Sequence, residues 1–209
     1  MRVVAVPAAL AALAFAILLS LAVGARAIPF SDVVEALFGH LDGGDATVVT
    51  DVRVPRTALG LLVGAALGLA GALMQALTRN PLADPGVLGV NAGASAAVVT
   101  AIGLLGITQP EGYVWFSFLG AALASVLVYA IGSAGRGGAT PVRLALAGTA
   151  ITYALIAFVY GLALTDPYLL QKYNQWSVGS LGGRGTTELT VALPFVALGA
   201  VGAAVLARP

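Results

Sequence analysis

The sequence has no cysteine, one histidine (His40) and little charge: 9% of its 209 residues are Asp, Glu, Lys or Arg. Soluble domains carry about 25%. Without cysteine there is no disulfide framework, no zinc–thiolate site and no iron–sulfur cluster. A single histidine and no thiol predict no transition-metal site and no resident cofactor. The formal net charge of +1 sets up no field to attract nucleic acid. No glycine-rich loop ending in Gly-Lys-Ser/Thr is present, so ATP is not hydrolysed here by a P-loop. No Ser/His/Asp set can be assembled either. Together these absences exclude a disordered chain, a nucleic-acid binder and an ordinary soluble enzyme.

What is present is apolar. Hydrophobic residues make up 59% of the chain, and the mean hydropathy is +0.98. Six runs hold no Asp, Glu, His, Lys or Arg: 3–24, 57–78, 87–107, 113–132, 144–165 and 189–207. They contain 22, 22, 21, 20, 22 and 19 residues. About 20 residues at a rise of 1.5 Å span the ~30 Å hydrocarbon layer. A helix satisfies its own backbone groups, as lipid requires. The sequence therefore predicts an all-α, polytopic membrane protein of six spans, with residues 1–209 as a single transmembrane domain. The first run also resembles a signal peptide ending at Ala25-Arg26-Ala27, but its apolar stretch is longer than the 7–15 residues of a signal core.

With the N-terminus placed inside, the inner and outer segments tie at five Lys/Arg each, but the inner segments are much shorter and hence more densely basic. That predicts a cytoplasmic N-terminus. The long outer stretch 25–56 includes a candidate short helix beginning near Ser31, whose Val33, Val34 and Leu37 could lie on the membrane surface. Asp84-Pro85 and Thr140-Pro141 read as N-caps followed by proline at the first helical position, opening the third and fifth spans. Tyr168, Tyr173 and Trp176 suit an interfacial belt.

Three groups of residues stand out. Gly60, Gly64, Gly68, Ala72 and Ala76 recur every four positions, and Gly71 widens the small surface. Small residues let helix backbones approach closely in lipid, so the second span is predicted to pack centrally, unless it is simply a generic alanine/glycine-rich span. Arg53 and Arg56 flank Pro55 at the predicted N-terminus of that span, where the helix dipole disfavours cations. They either dock acidic groups of an external partner or reach lipid phosphates or Asp51. Thr149, Thr152, Tyr153, Ile156 and Tyr160 share one face of the fifth span. They either line a pathway or bond to other helices and to the backbone. No Asp, Glu, His, Lys or Arg lies in any run, so uphill transport would draw its energy from another subunit.

The block Arg53-Val-Pro-Arg56, Gly64, Gly68, Gln75, Asn80-Pro81-Leu82-Ala83, Pro85, Gly89 and Gly93-Ala94 resembles the permease family of ABC importers for iron-siderophores, haem and vitamin B12. Leu146-Ala147-Gly148 and Trp176-x-x-Gly179-Ser180-Leu181 are similar to later pieces of it. The resemblance implies one of two ten-span permease subunits around a shared pathway, two cytoplasmic ATPase subunits, and an extracytoplasmic substrate-binding protein, in a bacterial inner membrane. It implies that Arg53 and Arg56 meet the binding protein, that Ala139, Thr140, Pro141 and Val142 form a cytoplasmic gate turn, and that Thr149, Thr152, Tyr153 and Tyr160 line the pathway. It also implies that the sixth span should be followed by coupling helices and four further spans. That leads to the expectation of a truncated reading frame or partial chain, with a true short form as the alternative. The alternatives to an importer component are a passive channel or secondary carrier, and a fragment without function. The chelate itself is not legible in these motifs.

Overall fold

The computed structural model describes residues 2–39, 43–134 and 138–206. His40, residues 135–137 of the second inner turn and the chain end at 207–209 lie outside the described residues. The described residues contain helices and turns and no strand. They fall into two compact units, Met1–Leu67 with Ser180–Pro209, and Gly68–Gly179.

The first unit opens with α1 (Arg2–Ala22), followed by the short helices α2 (Phe30–Leu37) and α3 (Gly44–Thr47). A π-helical turn, Val48–Arg53, then leads without a break into α4 (Val54–Thr78). The second span is thus helical from Gly44, well before the expected start at 57. Pro55 causes no break because the turn before it is wound wider, with the Val54 N–H donating to the Val49 carbonyl five residues back. Proline cannot complete the ordinary ladder, and a π-turn absorbs that defect. Leu21, Ile28, Val33, Ala36 and Val49 form this unit's core, at the C-terminal end of α1.

The last helix of this unit runs Thr186–Leu206. At its start, Glu188 Oε2 accepts the Gly185 N–H at 2.8 Å, and the carboxylate lies 4.0 Å from Arg184. A glutamate at the third helical position thereby satisfies one orphan donor of the first turn.

The second unit holds the end of α4, then α5 (Val90–Gly103), α6 (Pro110–Ser133), α7 (Pro141–Ala163) and α8 (Pro167–Val178); the closing helix is α9. Ala96, Val98, Val99, Ile102, Val159 and Leu169 make its core, where α5, α7 and α8 meet. At the crossing of α5 and α6, a Cβ on Gly93 would fall on the carbonyl oxygen of Gly120, and a Cβ on Gly120 would fall on that of Gly93. Likewise a Cβ on Gly148 of α7 would meet the Val87 carbonyl. Backbone-to-backbone packing is how helices gain contact in lipid, where apolar burial offers little.

Among the described residues, five helices are long and apolar enough to cross a membrane: Ala5–Ala22, Gly44–Thr78, Glu111–Ser133, Pro141–Ala163 and Thr186–Val205. The expected third span, 87–107, is the exception. It begins as a 3-10 turn, Pro85–Leu88, and its α-helix, Val90–Gly103, has 14 residues. Asp84 does cap, accepting the Gly86 N–H at 2.7 Å, but it caps the 3-10 turn rather than the helix. Gly89, at φ +71°, separates the two. Left-handed backbone there costs a glycine little and ends the 3-10 turn.

The small-residue stripe is largely open within these units. Within its own unit a Cβ on Gly64 meets nothing within 4 Å, nor does one on Gly68 or Gly71 in theirs, and one on Gly60 would touch only Leu181, at 3.4 Å. The tight crossings use the isolated glycines 93, 120 and 148 instead. Regular spacing on one helix marks a smooth face but does not say which helix arrives there.

Candidate functional site: a cation pair and an open helix face

In the first unit, Arg53 and Arg56 project from the continuous run that begins at Gly44. Neither sits at a free helix N-terminus, so the dipole conflict inferred from sequence does not arise. Arg53 is only 3% exposed. Its Nη1 donates to the carbonyls of Leu21, at 2.7 Å, and Ala22, at 2.8 Å, and its Nη2 donates to the Arg26 carbonyl. Leu21 and Ala22 are the last residues of α1, whose final carbonyls have no partner within the helix. A cation is favoured at that end. The guanidinium's fixed fork lets one side chain serve three acceptors. Arg53 is therefore the cap of α1. The resemblance implied a docking role for it; here all three bonds turn its guanidinium inward. Gly24 leaves it room: a Cβ there would lie 3.0 Å from Nη2.

Arg56 is different. It is half-buried, and its one hydrogen bond runs from Nη2 to the Ser20 carbonyl at 3.4 Å. It borders a cleft between α1 and α4 lined by Ile17, Ser20, Thr57, Gly60 and Leu181. Ser20 Oγ and Thr57 Oγ1 lie 2.7 Å apart and tie the two helices together beside it. Nothing in the sequence spacing marked this hydroxyl pair. A further ion pair, Arg26 Nε to Asp45 Oδ1 at 3.0 Å, joins the loop after α1 to α3.

In the second unit, α7 buries Leu144, Ala147, Gly148, Val159 and Ala163. Its other face, with Thr149, Tyr153 and Tyr160, is open. Thr149 Oγ1 donates to the Ala145 carbonyl at 2.8 Å, so the hydroxyl's proton is already engaged. Tyr160 packs edge-on against Tyr173 of α8, with ring centroids 6.0 Å apart. Thr152 is half-buried and sits close to Gly89, where an added Cβ would come within 3.6 Å of its Oγ1. It belongs to the packing of the α5 entry more than to the open face. The predicted gate residues Ala139, Thr140, Pro141 and Val142 are all exposed. Thr140 is the N-cap of α7, accepting the Arg143 N–H at 3.4 Å, with Pro141 in the first turn.

The stretch after α7, expected at the membrane interface, is a helix. Asp166 caps α8 by accepting the Tyr168 N–H at 2.8 Å, and Gly179 ends it in the left-handed region. Tyr173 and Trp176 pack onto the core rather than facing outward, while Tyr168 is exposed beneath the Lys172 ammonium, 5.6 Å from its ring centroid.

Among the described residues, no group of three or more His, Cys, Asp or Glu side chains could hold a metal ion. The geometry thus defines a class: a helical, multi-pass membrane protein whose polar features are a capped helix end, a half-buried cation and an open helix face. Residues 12–209 match the model of the FecCD transport family, and the chain belongs to that family.

The chain is 47% identical over 207 residues to the ferric enterobactin transport system permease protein FepD of Escherichia coli (strain K12), covering 99% of this chain and 62% of that protein. It is 40% identical over 182 residues to the probable siderophore transport system permease protein YfiZ of Bacillus subtilis (strain 168), covering 87% of this chain and 55% of the other. A chain from a structure described as a metal-chelate type ABC transporter in an inward-facing conformation has the same fold, with a TM-score of 0.70 at 24% identity. That match covers 89% of this chain and 56% of the other. The chain therefore spans a little over half the length of these relatives.

Proposed function

We propose that this chain forms part of the membrane-spanning permease component of an ATP-driven importer of iron-siderophore complexes. The observation that carries the reading is the 47% identity, along nearly the whole chain, to a protein named for ferric enterobactin transport. The chemistry of the chain agrees with it. The six apolar runs hold no Asp, Glu, His, Lys or Arg that could couple movement to a proton gradient. Energy would come from cytoplasmic ATPase subunits, and a second permease subunit would complete the pathway. Thr149, Tyr153 and Tyr160 on the open face of α7 are the proposed lining, with Thr152 at its edge. Ala139, Thr140, Pro141 and Val142 are the proposed gate turn. Gly60, Gly64, Gly68 and Gly71 offer a seat for spans of the same or the second subunit. The proposed setting is a bacterial inner membrane with the N-terminus in the cytoplasm.

The test is uptake. The protein is expressed with its genomic neighbours' permease, ATPase and binding protein in a strain lacking its own permeases, and accumulation of labelled ferric siderophore, haem and cobalamin is measured. Ferric siderophore should accumulate, and an ATPase-dead partner should abolish it. Uptake that persists with the dead ATPase would point to a passive channel or carrier and sink the reading.

Arg56, rather than Arg53, is the proposed docking cation for an extracytoplasmic substrate-binding protein. Exposed ion pairs are worth about 0–1 kcal/mol, and more when the partner excludes water. Arg56→Glu should therefore weaken binding-protein affinity by up to about tenfold at low salt, with the loss shrinking as salt is raised. Unchanged affinity at low salt would remove Arg56 from the interface.

A further inference from the structure

The helix α2 is held at one end of α1, between that span and the start of the Gly44–Thr78 run. At about 100° per residue its side chains fall into three sectors. Val33 and Ala36 point into the core with Leu21, Ile28 and Val49. Ser31, Asp32 and Glu35 form the polar sector. Leu37, Phe30, Val34 and the following Phe38 make a second apolar sector beside the buried one, and they remain 47%, 54%, 36% and 73% exposed. A soluble loop helix would need only the first of these apolar sectors.

We propose that α2 lies flat in the bilayer interface, with Phe30, Val34, Leu37 and Phe38 sunk among the acyl chains next to the headgroups. Two observations identify lipid as the occupant. The helix is anchored to the very end of a span, which sets it at the depth where hydrocarbon gives way to headgroups. Apolar residues at the same end of α1, Leu18, Leu19 and Val23, are exposed as well. The attachment is of an unusual kind for an interfacial helix, because α2 carries two acids and no Lys or Arg. It is held by apolar burial and covalent tethering alone, not by attraction to anionic headgroups.

The lack of cysteine allows a direct test on the chain in nanodiscs. Single variants Val34→Cys, Leu37→Cys, Ser31→Cys and Glu35→Cys are labelled with an environment-sensitive fluorophore. Quenching by lipids spin-labelled just below the headgroup is compared with quenching by aqueous iodide. Positions 34 and 37 should be quenched severalfold more by the lipid probe than positions 31 and 35, and less by iodide. The pattern should be the same in pure phosphatidylcholine and with phosphatidylglycerol added. Equal iodide quenching at all four positions would mean that α2 stands in water. Protection of 34 and 37 from both quenchers would mean that protein covers them. A pattern that appears only with anionic lipid would contradict attachment by apolar burial. Each of these results overturns the proposal.

Discussion

Replacing Arg53 with leucine is expected to destabilise the first unit by a few kcal/mol, about 1–3 kcal/mol for each buried acceptor left without its donor. The guanidinium is almost fully buried and serves the carbonyls of Leu21, Ala22 and Arg26. Leucine is apolar and similar in bulk to the stem, so the loss is not one of packing. It is the loss of donors. Each unpaired acceptor left in a buried site costs roughly 1–3 kcal/mol. Arg53→Lys keeps the charge but not the planar fork, and should recover only part of the loss. Thermal unfolding in detergent measures the stability. Hydrogen exchange adds a local readout, because fraying of α1 should speed exchange of amides near its C-terminal end. A Leu variant as stable as the parent, with the same exchange pattern, would show that the cap contributes nothing. That outcome would return Arg53 to the docking surface suggested by its sequence position.

The second large effect is expected at the crossing of α5 and α6. Gly93→Ala or Gly120→Ala places a methyl group on the facing helix's backbone oxygen. A flexible side chain could move aside, whereas a carbonyl in a helix cannot move without its helix. Overpacking typically costs about 1–3 kcal/mol, and a backbone obstacle puts these sites at the upper end. The pair also makes a sharper prediction. Once the first methyl has pushed the helices apart, the second meets less resistance, so the double variant should lose clearly less than the sum of the two single losses. Strict additivity in a double-mutant cycle would mean that the two glycines do not face each other. Gly64→Ala is the control. Beyond the backbone of its own helix turn, no atom of its unit lies within 4 Å of the added Cβ, and alanine is the better helix former by up to about 1 kcal/mol. Its stability in the isolated chain should be unchanged or slightly raised. A drop comparable to that of Gly93→Ala would place a close neighbour against the stripe.

These two cases mark where reading along the chain succeeded and where it stopped. Charge-free runs of about 20 residues led correctly to long membrane helices, because the thickness of a bilayer and the rise of a helix are fixed lengths. Thr140-Pro141 was legible as a helix start for an equally local reason: the capping oxygen and the proline ring act within one turn. The run at 87–107 holds a break that hydropathy does not register: Gly89, whose left-handed backbone divides a 3-10 turn from a 14-residue helix. Pro55 shows the opposite. It reads as a beginning, yet a π-turn carries the helix through it.

By itself, then, the amino-acid sequence determined the helical class, the approximate positions of most long helices and the family, since each follows from local composition or from motifs in order. Only the tertiary structure decided what the arginines do. Arg53 looks misplaced beside its own helix, and it is satisfied by the carbonyl end of α1, more than 30 residues earlier in the chain. Tertiary structure likewise selected glycines 93, 120 and 148, not the regular stripe, for the tight crossings. The physical reason is the same in both cases. A hydrogen bond or a backbone contact depends on which partner surface arrives, and that is a property of two segments that neither carries alone.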